Sequence, residues 1–293
     1  MNAPRISSET RRREDSDVNH KGVAASQTML RRGENTGQHM LTMRAQWWLR
    51  LVSPLLLLGA WELLARLGEL DARFFPPPTE IGKSAVSVVQ DGSLWRASQD
   101  TLRRLAIGYG AGALSGVIVG LWLGLSTWFR ALIEPWIQIT YPIPKLALYP
   151  LLVLVVGLGE MPIIVLLAIG VFYVVAINTI AGVLSIRRVI IDVGRDCRAT
   201  FMQFFLTIAL PASLPHIFTA LEISLGLAYI ILIGAEFVGA KSGLGAIIWS
   251  SWQLFDVGPM YVAIVTVSVL GYFSVLATRW LGDFLMPWRK THS

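Results

Sequence analysis

Residues 185–215, SIRRVIIDVGRDCRATFMQFFLTIALPASLP, are the most informative segment of this chain. They form the longest polar interval in the C-terminal two-thirds of the sequence, and long apolar runs flank them on both sides. Apolar residues recur in the interval every three or four positions, while arginines and aspartates fill the other faces. This period predicts a short amphipathic helical hairpin between two membrane spans, and Pro211 and Pro215 are expected to end it. A hairpin held in this way is suited to receive a push from a soluble partner.

The composition places the chain among membrane proteins. Of its 293 residues, 54% are hydrophobic and 15% are charged, and the mean hydropathy is +0.57. These values are too apolar for a soluble domain of this size, so we predict an all-α, polytopic membrane protein with about six transmembrane helices. The net charge of +6 comes from arginines in the N-terminal region and the loops, which favours the positive-inside rule over nucleic-acid binding. A single cysteine, Cys197, excludes an intrachain disulfide and a multi-cysteine metal site.

The order of polar and apolar segments predicts the organisation of the chain. We expect a disordered cytoplasmic tail over 1–46, a first span with an outer connection over 47–102, a core of spans over 103–285 that includes the hairpin, and a cytoplasmic tail over 286–293. The predicted spans are Trp47–Leu67, Arg104–Leu125, Lys145–Gly157, Met161–Leu184, His216–Gly234 and Met260–Leu281.

Two local features of this order carry further expectations. The segment FFPPPTE (74–80) predicts a stiff, extended turn, and Ile81–Thr101 predicts an amphipathic surface helix. With both termini in the cytoplasm, the topology places Arg103 and Arg104 outside, against the positive-inside rule.

A stripe of glycines marks one face of the second span. Its members are Gly108, Gly112, Gly116, Gly120 and Gly124. Because residues four apart share a helix face, the stripe predicts a surface that another helix approaches closely, and not a ligand site.

The segment 185–215 resembles the cytoplasmic coupling loop of ABC importer permeases. The pattern of that loop is Glu-Ala-Ala, three residues, Gly, nine residues, Ile-x-Leu-Pro. Its positions fall on Asp192, Val193, Gly194, Arg198, Ile208, Leu210 and Pro211. The end of the pattern matches, whereas its head differs. YPIPKLALYPLLVLVVGLGE (141–160) and LPASLPHIFTALEISLGLAYIILIGAEFVGAKSGLGAII (210–248) are similar to the nitrate/sulfonate/taurine branch, and the resemblance covers roughly residue 54 to the C-terminus.

The resemblance implies a type I ABC importer permease fold in the cell inner (plasma) membrane and a subunit of an ATP-driven importer. The implied solute is a small anion such as nitrate, taurine or an alkyl sulfonate. The implied partners are ABC ATPase subunits, a periplasmic or lipid-anchored substrate-binding protein and a second permease chain, in a homodimer, within membrane lipid. No GxxxxGK[ST] loop occurs in the sequence, so the chain is not expected to be an enzyme or to hold a cofactor, and ATP and Mg²⁺ belong to the partner ATPase.

Several residues are candidates for these roles. The ATPase contact is expected on the apolar stripe formed by Val193, Cys197, Phe201 and Phe204. The candidate substrate path comprises Pro142, Pro144, Lys145, Asn178 and Glu236, and the candidate gating helix over 243–253 contains Gly243 and Gly245.

Three of these residues have alternative interpretations. Lys145 either extends its ammonium group to the membrane interface or lines the path as a cation for an anionic solute. Asn178 either lines the path or packs, and we favour packing. A buried Glu236 needs a partner, and Lys241 is the nearest cationic candidate, although a solvated loop lysine is equally compatible with the sequence.

Arg198 occupies the position where the family pattern has glycine. Either the turn is built differently, with Arg198 in an ordinary helical conformation, or coupling is weak and this chain works beside a better-matched permease. We favour the first.

Two other classes of membrane protein also have several long apolar spans. A secondary transporter of small organic anions is the main alternative, but such proteins more often show inverted repeats, and the sequence has no detectable internal repeat. An integral-membrane enzyme would need converging titratable residues, whereas the spans contain only isolated ones. Copurification of a separate ATPase chain would distinguish an ABC permease from both alternatives.

Overall fold

A computed structural model describes residues 52–288, and no β-strand occurs among them. Two compact units divide between Glu69 and Leu70. In the first unit, helix α1 spans the described residues 52–67 and includes an ion pair of 2.6 Å between Arg66 and Glu62, one turn apart. The predicted tail over 1–46 and the residues from 289 onward lie outside the described part.

The second unit is entirely helical apart from short connections. Its helices are α2 (Pro78–Gln90), α3 (Ser93–Leu125), α4 (Thr127–Thr140), a 3₁₀ turn (Lys145–Leu148), α5 (Tyr149–Val156), α6 (Met161–Leu184), α7 (Arg188–Asp196), α8 (Phe201–Phe204), a π-helical turn (Phe205–Ala209), α9 (Leu210–Gly239), α10 (Leu244–Gln253) and α11 (Val257–Leu285).

Long apolar helices in the described residues confirm the polytopic membrane class. α3, α6, the continuous segment Phe201–Gly239 and α11 are each long and apolar enough to cross a membrane, and the bent pair α4–α5 makes a fifth span if it is counted as one. In the most apolar 18-residue window of each helix, 56% of residues are buried in α6 and 11% in α11. α6 therefore lies at the centre of the bundle, whereas most of the α11 window is exposed.

The glycine stripe of α3 packs against α6, as the sequence predicts. A Cβ added at Gly116 would lie 2.9 Å from Cβ of Val175, and one added at Gly124 would lie 2.6 Å from Cβ of Val183. Because the contacts advance along both helices in the same direction, α3 and α6 run parallel and are joined by the return through α4 and α5. The bare stripe allows two backbones to approach at a distance that side chains would prevent.

The glycine stripe gives a prediction with an internal control. Gly112→Ala is expected to lower the free energy of unfolding by about 1–3 kcal/mol, because the new methyl group would meet the carbonyl oxygen of Ala168 and Cβ of Val171. Gly110→Ala, on the exposed face of the same helix with nothing within 4 Å of the added Cβ, is expected to be neutral or stabilising. Thermal unfolding in detergent measures both, and equal effects would contradict the assignment of the packing face.

The structure corrects the expected boundaries between 74 and 125. The predicted surface helix over 81–101 is interrupted: α2 ends at Gln90, and α3 begins at Ser93 rather than at Arg104. Gly92 takes a φ of +72°, and the Asp91 carboxylate accepts a hydrogen bond of 2.7 Å from the Ser93 amide, so the chain turns there. Pro78 opens α2, since proline at a first helical position loses no hydrogen bond; the FFPPPTE segment is therefore partly helical.

Prolines bend the chain in one segment and fail to stop it in another. The predicted break at Pro142 and Pro144 is confirmed, because the helices on either side of it are bent by 92°. The predicted stop at Pro211 and Pro215 is wrong. A π-helical turn, in which the Leu210 amide donates to the carbonyl of Phe205, precedes these prolines, and α9 continues through both to Gly239.

Candidate functional site

The two ends of the bundle carry different chemistry. At one end, α3 and α6 finish at Leu125 and Leu184, and the hairpin over 185–215 follows. At the other end, the start of α6, the end of α9 and the start of α10 meet the first half of α3. We call the residues Thr101, Arg104, Glu160, Glu236 and Ser242 at this second end the buried charge cluster.

The hairpin turns through a Schellman motif. After α7, the amide of Arg198 donates to the carbonyl of Arg195 at 2.8 Å, and the amide of Ala199 donates to the carbonyl of Gly194 at 3.0 Å. Arg198 has a φ of +50°, in the left-handed region. These two bonds satisfy carbonyl groups that the end of a helix otherwise leaves unpaired. The turn is thus the kind for which glycine is preferred, as in the family pattern.

This geometry overturns the favoured expectation for Arg198. The residue is not in an ordinary helical conformation, so the turn is not rebuilt around a helical arginine. Its backbone has the conformation suited to glycine, although the side chain carries a Cβ that raises the energy of that conformation by about 1–2 kcal/mol. Strength of coupling in this chain stays a prediction.

The strained turn predicts a stabilising substitution. Arg198→Gly is expected to raise the free energy of unfolding by about 1 kcal/mol, because glycine adopts a positive φ without steric cost. Arg195→Gly is the matched control: it removes the same side chain from the helical last turn of α7 and should destabilise by about 1 kcal/mol. Thermal unfolding measures both signs, and a loss of stability in Arg198→Gly would show that its side chain makes a needed contact.

The second arm of the hairpin starts with a capping box and folds back on α7. Thr200 Oγ1 accepts from the Gln203 amide at 3.3 Å, and Gln203 Oε1 accepts from the Thr200 amide at 2.9 Å. Gly194 is buried, and a Cβ placed there would lie 3.2 Å from the side chains of Phe204 and Ile208. The hairpin predicted from the sequence is therefore confirmed, and its two arms are packed together.

The apolar stripe of the hairpin is open to solvent. Val193 is 54% exposed and Phe201 is 70% exposed, Cys197 is exposed, and Phe204 is half-buried against α7. The short arms and the packed turn hold this apolar surface in place. Its role as an ATPase contact stays a prediction.

An arginine is the centre of the buried charge cluster. Arg104 is 2% exposed, and its guanidinium donates to Glu236 at 2.7 Å and to Glu160 at 2.9 Å. The same group donates to the main-chain carbonyl of Ser242 at 2.7 Å. One side chain of α3 therefore connects the start of α6, the end of α9 and the segment leading into α10.

Glu236 and Thr101 accept hydrogen bonds from the first two amides of α10. Glu236, fully buried, accepts from the Gly245 amide at 2.9 Å and from the Thr101 hydroxyl at 3.0 Å. Thr101 Oγ1 in turn accepts from the Leu244 amide at 2.9 Å. The first two amides of α10 would otherwise be buried without acceptors, and a carboxylate at that position is also favoured by the helix dipole.

The glycines of the predicted gating helix are explained by this cluster. Gly243 has a φ of +118°, and an added Cβ would lie 2.5 Å from the carboxylate of Glu236 and 2.7 Å from Arg104. At Gly245 an added Cβ would lie 2.6 Å from Cβ of Glu236. Larger residues at either position would separate α10 from the ion pair. The helix is present as Leu244–Gln253, and its gating role stays a prediction.

The structure corrects the partner proposed for Glu236. Its cationic partner is Arg104 and not Lys241. Sequence reasoning missed Arg104 as a site residue and treated it only as an exception to the positive-inside rule. A signal was present, because Arg104 lies four residues before Gly108 and continues the glycine stripe. A charge on a helix face that packs against protein must find an opposite charge.

Glu160 is the most exposed charged member of the cluster. Its side chain is 40% exposed and pairs with both Arg104 and Arg103. Burial would raise the pKa of the Glu160 carboxyl, but the hydrogen bonds from Arg104 and Arg103 outweigh it and hold the pKa below its ordinary value. Arg103 and Arg104 thus face the carboxylates of Glu160 and Glu236, and their two positive charges are balanced by two negative charges.

Lys145 lies at the bend between α4 and α5. Its ammonium group donates to the carbonyls of Tyr141 at 2.9 Å and Thr140 at 3.2 Å, at the end of α4, and lies 4.1 Å from the ring centroid of Tyr173. A cation at these carbonyls complements the helix C-terminus, and the aromatic ring adds a cation–π contact. An ammonium group has three N–H donors, and these two carbonyls use two of them.

The other candidate residues for the substrate path either bond within the protein or lie exposed. Asn178 donates to the Val174 carbonyl of its own helix at 2.8 Å, Pro142 and Pro144 are exposed, and Glu236 is enclosed by protein donors. Their substrate-path roles stay predictions. Among the described residues, no group of three or more His, Cys, Asp or Glu side chains could hold a metal ion.

The architecture defines a class of protein. Several apolar spans, a packed amphipathic hairpin at one end and a short helix held by buried charges at the other describe a multi-span membrane permease. The family model for the binding-protein-dependent transport system inner membrane component matches residues 114–285. The chain belongs to this family and is a permease subunit of an ABC importer.

Individual relatives agree with this assignment. The taurine transport system permease protein TauC of Escherichia coli (strain K12) is 31% identical, over 79% of this chain and 86% of its own length. The putative aliphatic sulfonates transport permease protein SsuC of Bacillus subtilis (strain 168) is 29% identical, over 85% and 90%.

A solved structure agrees on the fold. The inward-facing MetNI methionine ABC transporter matches with a TM-score of 0.59 at 22% identity, covering 66% of this chain and 96% of that one. The type I importer permease fold is thereby confirmed.

Proposed function

We propose that this permease subunit imports a small anion of the sulfonate, taurine or nitrate class. The hairpin geometry is the observation that carries the coupling part of the proposal: its apolar stripe is exposed, its two arms pack together, and it lies directly between α6 and α9. The relatives named for taurine and aliphatic sulfonates support the solute class. Family membership also replaces the alternatives of a secondary transporter and a membrane enzyme.

The proposed assembly has two permease chains, two ABC ATPase subunits and a substrate-binding protein at the outer face. ATP and Mg²⁺ belong to the ATPase subunits, whose closure would push the hairpin, rotate the spans and alternate access to the path. The chain itself makes no covalent change in the solute.

The proposed orientation places both termini and the hairpin in the cytoplasm. Arg187, Arg188, Arg195 and Arg198 all lie in this connection, as the positive-inside rule favours. The outer position of Arg103 and Arg104 is compatible with this orientation, because both pair with carboxylates. An accessibility experiment with a cysteine introduced at Leu158 would test it, since that exposed residue belongs to the proposed outer turn.

Uptake in cells tests the function. Cells that lack the chain should lose uptake of radiolabelled taurine, a short alkanesulfonate or nitrate and regain it when the chain is supplied, and an ATPase chain should copurify with the tagged permease. An uncharged amino-alcohol of similar size serves as the negative control. Unchanged uptake of all three anions in cells that lack the chain would contradict the solute class. Absence of a copurifying ATPase would contradict the assembly.

Lys145 gives a prediction about the anion itself. Lys145→Gln is expected to reduce uptake severalfold while the protein still assembles, because the cation near the bend is lost. Lys145→Arg should keep part of the uptake, since it retains the charge and its donors to α4. Uptake and the amount of assembled complex are measured together, and equal uptake by all three proteins would leave Lys145 only a structural role at the end of α4.

A further inference from the structure

A cavity at the hairpin end of the bundle has the composition of an anion site. It is an open recess of about 890 Å³ between the ends of α3 and α6, the start of α4 and the hairpin. Three arginines, Arg130, Arg188 and Arg195, line it together with one acidic residue, Asp192. The formal charge of the lining is therefore +2, from three positive groups and one negative group.

The arginines are only weakly neutralised by the protein. Arg195 lies 3.8 Å from Asp192, and Arg130 lies 3.9 Å from Glu134, distances at the outer limit of an ion pair. Arg188 has no ion-pair partner among the described residues. Guanidinium groups bind phosphate through paired N–H donors, so this lining is chemically suited to a phosphate group.

The remaining lining is apolar and continues the membrane spans. Leu125 ends α3, Val183 and Leu184 end α6, and Phe201 belongs to the hairpin. Leu184 is 51% exposed. A ligand that fills the cavity would place a charged group on the arginines and an apolar group along the ends of the spans.

Two exposed tryptophans place the cavity at the depth of lipid head groups. Trp122 and Trp128 are 51% and 69% exposed, and both pack on Phe129, with ring centroids 4.3 Å and 5.0 Å away. Tryptophans concentrate at the boundary between hydrocarbon and water. These two residues flank Leu125 and Thr127, which line the cavity.

We propose that the arginine cavity, lined by Arg130, Arg188 and Arg195, binds the phosphate head group of an anionic phospholipid. Basic recesses between spans at the cytoplasmic side are suited to such head groups. One wall of the cavity is α7, so a bound lipid would hold the hairpin against α3 and α4. The proposal rests on the proposed cytoplasmic position of the hairpin and does not depend on which solute the importer carries.

Lipid binding to the purified full-length chain in detergent tests the proposal. Native mass spectrometry with phosphatidylglycerol and, separately, phosphatidylcholine should show preferential retention of the anionic lipid. Arg188→Gln should reduce the affinity for phosphatidylglycerol about fivefold, the effect of one basic residue near a lipid surface, and Arg130→Gln should do the same. Arg187→Gln is the matched control, because Arg187 is exposed, adjacent in sequence and not part of the lining.

Four outcomes would overturn the proposal. One is equal retention of the two lipids. Another is an equal loss of phosphatidylglycerol binding in Arg187→Gln and Arg188→Gln. The third is that inorganic phosphate alone raises the thermal stability of the wild-type chain, but not of Arg188→Gln, while phosphatidylglycerol adds nothing; the cavity would then bind soluble phosphate. Unchanged lipid retention with lost ATPase capture in Arg188→Gln would instead assign the arginine to the protein partner, and would likewise reject lipid binding.

Discussion

Arg104→Ala is expected to lower the free energy of unfolding of the permease by about 3–5 kcal/mol, the largest effect of any single substitution considered for this chain. The change leaves Glu236 fully buried with its carboxylate unpaired. It also removes the donors to Glu160 and to the carbonyl of Ser242. A charge in a dry interior costs several kcal/mol when its partner is lost, so the start of α10 should separate from α3 and α9.

Two further variants test whether the loss of stability in Arg104→Ala comes from the unpaired buried charge. Arg103→Ala, next to Arg104 but with a side chain 58% exposed, should cost no more than about 1 kcal/mol, as exposed ion pairs do. The double variant Arg104→Met with Glu236→Leu should recover part of the loss, because it removes both buried charges together but leaves the Gly245 amide without its acceptor. Thermal unfolding in detergent and size-exclusion profiles measure all three. An Arg104→Ala protein as stable as Arg103→Ala would show that the charge cluster is not closed in the membrane.

Periodicity in the sequence was sufficient to predict the bundle and one of its interfaces. Glycines four apart on α3 could pack only against another helix, and the structure places α6 there. The span Met161–Leu184 was predicted with the bounds that the structure shows, since Gly157 and Gly159 precede it and an arginine-rich segment follows. Hydropathy locates such elements because each residue contributes to it independently.

The boundaries that failed depend on contacts or on backbone adjustments that a local pattern does not contain. Pro211 has the sequence signature of a helix stop. In the structure a π-helical turn precedes it, and α9 continues through it to Gly239. Arg198 was expected to be helical, yet the hydrogen bonds of the turn impose a positive φ on it. In both places the hydrogen bonds at the neighbouring helix ends determine the backbone conformation, against the intrinsic preference of the residue.

The candidate site shows the same division. The hairpin could be predicted because its amphipathic period and its resemblance to the coupling loop lie within one continuous segment. The charge cluster could not be assembled from the sequence, because Arg104 and Glu236 are 132 residues apart and each has other charged residues nearer in sequence. Lys241 was chosen as partner for Glu236 by that nearness, whereas the packing of α3 against α6 and α9 brings Arg104 there instead.

Phe201→Asp is expected to abolish most coupled transport while leaving the permease folded. Phe201 is 70% exposed and stacks on Phe205 with ring centroids 6.5 Å apart, so its replacement removes little from the core. It also opens α8, and a carboxylate in the first turn of a helix is favoured by the helix dipole. The stability of the isolated chain should therefore change little.

Coupling, unlike stability, should be strongly reduced, because the proposed ATPase groove must bury the side chain at position 201. An aromatic anchor of such an interface is typically worth 2 kcal/mol or more, which weakens capture of the ATPase roughly 30-fold or more when it is lost, and an aspartate buried in its place adds a desolvation cost. Met202→Asp is the matched control: the neighbouring side chain is 60% exposed and receives the same charge, but lies off the stripe of Val193, Cys197, Phe201 and Phe204. Copurification of the ATPase, solute-stimulated ATP turnover and uptake are compared between the two variants. Normal values of all three in Phe201→Asp would reject the hairpin stripe as the ATPase contact, whereas a loss confined to Phe201→Asp would locate the coupling contact on that stripe.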